Sequence, residues 1–292
     1  GISAVSNGGT STTSEVQYLY NSSSPQTIAI DATVSTGYTW STWTKTSGTN
    51  LKTFTPATKS QNIQMGAGAT TLTASANINN YTLTVKSGTG GSVKVEDTTK
   101  STSVTAASGE TKTLSVTHGD TIKVTATAGS GYTLSTLKHG STSMSSGGTF
   151  TASGTETVEA TWAANTAKIT INKDGSAWSA SGIKVTLYNG TTATSYTTTV
   201  SSGSVASLSA VPNGTYNIYA GKNSGAKTTL VDTGVDVTVN DNSPTATINY
   251  YTLTLNKGTG ISEVTGAAIY LSNQTASIVA TPSTGYKFSS WT

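Results

Sequence analysis

Nine residues recur three times with little change: STGYTWSTW at 35–43, GSGYTLSTL at 129–137 and STGYKFSSW at 283–291. An alternating stretch precedes each copy, TIAIDATV at 27–34, TIKVTATA at 121–128 and TASIVATP at 275–282. Alternation of apolar and polar residues marks a half-buried strand. The first two copies also close on such a stretch, TLTASANI at 71–78 and TVEATWAA at 157–164. Upstream, YTLTVKSGTGGSV at 81–93 parallels YTLTLNKGTGISEV at 251–264, and GISAV at 1–5 parallels the GISEV at 260–264. Internal repetition of this kind predicts an array of small β-modules.

The phase of the repeats predicts four segments. Residues 1–80 form a repeat without its YTLT strand, and 81–166 form a complete one. Residues 167–250 leave the pattern, and 251–292 form a repeat that stops before its closing strands. On this reading the chain is a window on a longer array, with an incomplete sheet at each end where another chain could pair. Adjoining sequence supplying the missing strands in cis is the simpler arrangement. Within 167–250, the turn signals KDG, YNG, PNG and NDN separate about seven short β-type runs, enough for a two-sheet sandwich. GAKTTLVDTG at 225–234 comes nearest to a helix, and its threonines and glycines argue against one. The expected fold is all-β: tandem small domains of antiparallel sheets and sandwich-like modules in a rod, with essentially no helix.

Composition agrees with a folded β-protein and excludes several functions. Only 10% of residues are charged and 34% are apolar, while threonine alone supplies about a fifth. Threonine is β-branched and hydrogen-bonding, which suits the wet face of a sheet. Sixteen basic residues against thirteen acidic leave a net charge of +3, with no basic cluster to neutralise phosphates, so no nucleic-acid partner is expected. No apolar run approaches the roughly 20 residues that span a bilayer, so no membrane insertion is expected. The opening GISAVSNGG is no signal peptide. Cysteine is absent, which removes disulfides and thiolate chemistry.

YTLTLNKGTG followed by TASIVATPSTGYKFSSW resembles the divergent relatives of the internalin B-repeat, which occur in arrays on bacterial surface proteins. The resemblance covers 1–166 and 251–292. It implies stalk or adhesive modules without chemistry, at an extracellular, bacterial cell-surface location. KDGSAWSASGIKVTLYNG and VPNGTYNIYA in the middle segment resemble prealbumin-like domains, including pilin and collagen-adhesin B-type modules. Some of those carry a Lys–Asn isopeptide bond. Here the resemblance would place it between Lys168 or Lys173 and Asn249. Residues 167–250 contain no glutamate to promote it, and Asp232 and Asp236 are the only acids on the late strands.

The nonapeptide admits two readings. Tyr38, Trp40 and Trp43, with their counterparts Tyr132, Leu134 and Leu137 and Tyr286, Phe288 and Trp291, are either core anchors or an aromatic platform for a glycan. In an extended strand Tyr38 and Trp40 share a face, with Trp43 on the other or beyond a bend. The second copy replaces both tryptophans by leucine, keeping bulk while losing the flat π-surface that sugar stacking exploits. Gly37, Gly131 and Gly285, with the tyrosine that follows, do not change, which fits a backbone corner. Core anchoring is therefore the favoured reading. Trp178, among small polar residues, either folds back over a sandwich end or offers an exposed contact.

No catalytic residue, metal ligand or cofactor site is expected. His118 and His139 are the only histidines, and Asp120 lies so close to His118 that the two read as a turn. Asp241 and Asn242 form the densest oxygen cluster and read as a turn rather than a calcium loop. The GTGG at 88–91 lacks the lysine and helix of a phosphate cradle. Asn21, Asn80, Asn189, Asn213 and Asn273 fall in Asn-X-Ser/Thr triplets, as chance provides in so threonine-rich a chain.

The function expected is that of a non-enzymatic spacer whose partners are neighbouring repeats or another copy of the chain. Two alternatives remain open. One is an adhesin that contacts host protein or glycan through the hairpins at 6–26, 44–70 and 94–118. The other is a filament subunit that pairs through open strand edges.

Overall fold

The computed structural model describes residues 1–7, 10–11, 21–48, 51–221 and 229–292. Among them every regular element is a β-strand. By its contacts the chain forms two compact units. One comprises Gly1–Lys86, Val93–Ala126 and Leu137–Glu159, and the other Ser87–Ser92, Thr127–Thr136 and Ala160–Thr292.

In the first unit, Thr27–Val34 buries Ile28, Ile30 and Ala32 on one face and turns Thr27, Ala29 and Thr33 to solvent. It sits in a four-stranded sheet ordered Thr10–Ser11, Ile2–Asn7, Thr27–Val34, Gln61–Gln64. The hairpin of Tyr38–Gly48 and Thr70–Ile78 packs over it, because Trp43, Leu72 and Ala74 share a core with Ile28, Ile30 and Ile63. That pair carries a bulge between Trp40 and Thr42. The extra residue resets the alternation. Trp40 and Trp43 consequently lie together, ring centroids 5.5 Å apart, rather than on opposite faces as strict alternation predicts.

Residues 80–164 carry two sheets. One is ordered Thr111–Thr117, Asn80–Ser87, Thr157–Ala164, Tyr132–His139, Thr142–Ser143. The other is ordered Thr149–Thr151, Thr121–Ala128, Gly91–Asp97, Thr102–Ala106.

In the second unit, Thr166–Lys173 pairs in parallel with Thr245–Leu253 and antiparallel with Val205–Ser209. This parallel pair is an exception within an otherwise antiparallel architecture. It joins the first and last strands of the segment, which no hairpin can do. The facing sheet runs Thr192–Thr199, Lys184–Asn189, Gly214–Gly221, Leu230–Val239. Ile169, Ile171, Val185, Leu187, Ile218, Val237, Ile248 and Tyr250 fill the space between them. Ile261–Thr265 and Val279–Pro282 form a two-stranded sheet. Of the helix candidate at 225–234, residues 225–228 lie outside the described residues, and the remainder enters the strand Leu230–Val239.

Candidate functional site

Each nonapeptide opens with the same turn. The N–H groups of Tyr38, Tyr132 and Tyr286 donate to the carbonyls of Ser35, Gly129 and Ser283, at 3.1, 3.1 and 3.0 Å. Gly37, Gly131 and Gly285 hold the third place at φ of +81°, +82° and +84°, a conformation that strains residues with a Cβ. The first residue of each copy donates in turn to a further glycine. Ser35 reaches the carbonyl of Gly1, Gly129 that of Gly90, and Ser283 that of Gly260, at 2.9, 2.7 and 2.9 Å. A Cβ on Gly1, Gly90 or Gly260 would run into the ring of Tyr38, Tyr132 or Tyr286. These tyrosine seats escape a reading of the sequence, although the GTG at 88–90 and 258–260 was the feature that pointed to them.

The other motif residues divide by copy. Trp43 is 4% exposed and Leu137 3%. Tyr38, Trp40, Tyr132 and Leu134 are half-buried. The indole N–H groups of Trp40 and Trp43 donate to the carbonyls of Ala57 and Lys59, at 2.8 and 3.0 Å. In the last copy Tyr286, Phe288 and Trp291 are exposed. Phe288 and Trp291 still sit 5.7 Å apart at 59°, close to the 5.5 Å and 60° of Trp40 and Trp43. The paired aromatics thus keep their geometry without cover.

The corner glycines do more than turn the chain. The N–H of Asn79 donates to the Gly37 carbonyl at 2.9 Å, and the Thr39 hydroxyl donates to Asn79 Oδ1 at 2.6 Å. The N–H of His118 then donates to the Asn79 carbonyl at 2.9 Å, and its imidazole occupies the space a Cβ on Gly37 would need. The second corner repeats this set. Asn165 N–H donates to Gly131 at 2.8 Å, the Thr133 hydroxyl to Asn165 Oδ1 at 2.8 Å, and Val211 N–H to the Asn165 carbonyl at 3.2 Å. There the backbone of Ala210 fills the space beside Gly131. Asn165 is buried, and its amide reaches Asn213 Oδ1 at 3.4 Å. At a third place, Ser272 N–H donates to the Asn249 carbonyl at 3.0 Å. Asn273 Nδ2 lies close over Gly234, itself at φ +68°, and donates to the Asp232 carbonyl at 2.9 Å. These asparagines fall in INN at 78–80, AANT at 163–166 and INY at 248–250. The recurring asparagine was the overlooked feature.

Acidic groups brace one of these contacts. Asp120 accepts from Thr117 N–H at 2.6 Å and from Lys100 Nζ at 2.6 Å, beside the fully buried Asp97. Lys100 Nζ also contacts the Thr117 hydroxyl. Burial pushes the Asp120 carboxyl up, but the Lys100 ammonium, the Thr117 N–H and a hydrogen bond with Asp97 outweigh it, and the group is held below its ordinary range. His118 and Asp120 thus belong to one turn. His139 Nδ1 lies 3.1 Å from Glu156 Oε2 and stacks on Phe150 at 4.3 Å, with no nucleophile in the group. Among the described residues no three His, Cys, Asp or Glu side chains gather as metal ligands. Asp241 and Asn242 form a turn, Asp241 exchanging hydrogen bonds with Asn213 at 2.7 and 2.9 Å.

The register sets neither candidate isopeptide lysine directly opposite Asn249. Lys168 is exposed opposite Thr245, Asn249 pairs with Asn172, and Lys173 pairs with Tyr250. Trp178 is half-buried, edge-on to Tyr250 at 5.3 Å, with Lys173 Nζ 5.6 Å from its ring. The Tyr250 hydroxyl donates to the Gly221 carbonyl, and burial pushes its pKa up. Of the proposed contact hairpins, residues 8–9, 12–20 and 49–50 lie outside the described residues.

A family model described as Divergent InlB B-repeat domain matches residues 251–292. No curated protein matches the chain. Among solved structures the Bacillus anthracis TIE protein is similar, at 10% identity and a TM-score of 0.36 over 77% of this chain and 41% of that one. A leucine-rich repeat protein from Bacteroides thetaiotaomicron VPI-5482 is similar at 15% identity and a TM-score of 0.18, over 57% of this chain and 25% of that one. The chain therefore spans less than half the length of either. None of these matches supports a likeness of 167–250 to prealbumin-like, pilin or collagen-adhesin modules. The likeness that stands is between residues 251–292 and the divergent InlB B-repeat.

Proposed function

We propose that this chain is a non-enzymatic stalk segment of a bacterial surface protein, working outside the cell to set distance. Its modules are 1–80, 81–166, 167–250 and 251–292. The observation that carries this is the shortness of the linkers. Asn79 alone separates Thr70–Ile78 from Asn80–Ser87, and Asn165 alone separates Thr157–Ala164 from Thr166–Lys173. Thr245–Leu253 passes through Asn249 unbroken. A linker of one residue leaves little slack, as a spacer requires. The similarity of 251–292 to a divergent InlB B-repeat supports the surface location. No helix among the described residues is long and apolar enough to cross a membrane.

Arrays of glycans and host matrix proteins test the reading. A stalk shows no saturable binding, and saturable, competable binding to any spot replaces it with the adhesin. One observation favours a further contact role. Ile278, Val279, Tyr286, Phe288 and Trp291 are 37–57% exposed within a short stretch. Such a face suits a strand from a neighbouring repeat or another copy of the chain. Concentration-dependent association in light scattering would mark the second of these.

A further inference from the structure

Asn79, Asn165 and Asn249 lie 86 and 84 residues apart, at equivalent places between successive segments. Each presents its main-chain carbonyl to an N–H from a turn of the segment that follows, at 2.9, 3.2 and 3.0 Å. We infer that the Gly-Tyr-Thr corner and the linker asparagine together form a coupling site that clasps the next module through its backbone. This rests on the division into modules proposed above.

The donors at the three places are His118, Val211 and Ser272, which share no side-chain chemistry. What they share is a free N–H at a turn. The segments that supply them are also unlike, since 81–166 carries the nonapeptide and 167–250 does not. A site that reads only main chain accepts both.

The corner supplies the other half of the clasp. Its glycine carbonyl fixes the asparagine N–H, and its threonine hydroxyl fixes the asparagine side chain, in the first two copies. With both ends of the asparagine held, its carbonyl is aimed at the incoming turn. Glycine is required at the corner twice over, for its positive φ and because the incoming turn occupies the place of a Cβ. At Gly285 no described atom lies within 4 Å of such a Cβ, and Lys287 stands where Thr39 and Thr133 stand.

Interfaces between successive domains are mobile by default. A clasp of this kind predicts the opposite. The chain lacks cysteine, so pairs of introduced cysteines can be spin-labelled without background. Thr44→Cys with Lys123→Cys spans the first joint, and Ala128→Cys with Thr192→Cys spans the second. All four positions are exposed. The expected distance distributions are narrow at both joints. Asn79→Ala broadens the first and leaves the second narrow, and Asn165→Ala does the reverse. Thr39→Val and Thr133→Val remove only the hydroxyl donors and broaden the same joints, which carries the test if an asparagine variant loses its strand circular dichroism. Broad distributions in the unsubstituted chain overturn the clasp. So do distributions that stay narrow in folded asparagine and threonine variants alike. Either result leaves a flexible spacer standing, whereas glycan or host-protein binding would remove the stalk and leave the joint.

Discussion

Trp43 and Trp291 hold the same place in the nonapeptide and meet different surroundings. Trp43 is 4% exposed among Ile28, Ile30 and Ile63, while Trp291 is 41% exposed. Truncating a buried tryptophan loses its transfer free energy and leaves a cavity. Trp43→Ala is therefore expected to cost about 3–5 kcal/mol. Trp291→Ala should stay within about 0.5 kcal/mol, as for an ordinary surface change. Denaturant midpoints of the two variants check this, and equal losses would contradict the burial difference. That this one place takes a bulky apolar residue in both copies was legible, since Leu137 stands where Trp43 does, at 3% exposure. The bulge at Trp40 and Thr42 was not, since an extra residue in a strand leaves no mark in an alternating sequence. Nor was the second demand on Gly37 and Gly131. Positive φ can be inferred from a recurring glycine, but a neighbour 81 residues away in sequence, His118 against Gly37, cannot.

At the scale of single elements, the turn Thr117–Asp120 is expected to respond to pH. Its carboxylate accepts from Thr117 N–H and Lys100 Nζ, and its pKa is depressed in the folded state. A depressed carboxylate contributes stability that is present above its unfolded pKa, near 3.9, and lost as pH falls through the folded value. Acid should therefore weaken this turn and the bond from the His118 N–H to Asn79. Asp120→Asn should flatten the fall in denaturant midpoint between neutral and acid pH. An unchanged pH profile in that variant would place the acid sensitivity elsewhere. The strand Thr166–Lys173 gives a second expectation. It sets Asn172 opposite Asn249 and leaves Lys168 in solvent, so the intact mass should show no loss of ammonia, and a species lighter by one ammonia would overturn this register. Strands such as Thr27–Val34 were legible from alternation and turn residues. The parallel pairing of Thr166–Lys173 with Thr245–Leu253 was not, because no local turn encodes a partner so distant.

Among the described residues, the lysine–carboxylate pairs other than Lys100–Asp120 are exposed and carry little of the stability. Lys59–Asp31, Lys86–Glu159, Lys94–Glu96 and Lys112–Glu110 are ion pairs whose side chains are 38–49% exposed. Pairs this exposed contribute about 0–1 kcal/mol each and weaken in salt. Hydroxyl pairs do similar cross-strand work without charge: Thr136 with Thr161 at 2.7 Å, Thr186 with Thr197 at 2.7 Å, and Thr215 with Thr238 at 3.0 Å. Such contacts are short-ranged and indifferent to counter-ions. The repeat organisation behind this surface was legible from recurring side chains. The joints were not, because a hydrogen bond between main-chain groups needs no particular residue, and only the recurring asparagine hinted at it. The spacer role proposed above requires a length that holds as ionic strength changes. The thermal midpoint should accordingly move by less than about 2 °C between about 0.01 M and about 1 M sodium chloride, a range over which the Debye length falls from about 30 to about 3 Å. A fall of more than about 4 °C, which corresponds to roughly 1 kcal/mol or more in a small domain, would show that ion pairs hold these modules. A stalk that keeps its length by hydroxyl and main-chain contacts would then be the wrong physical account.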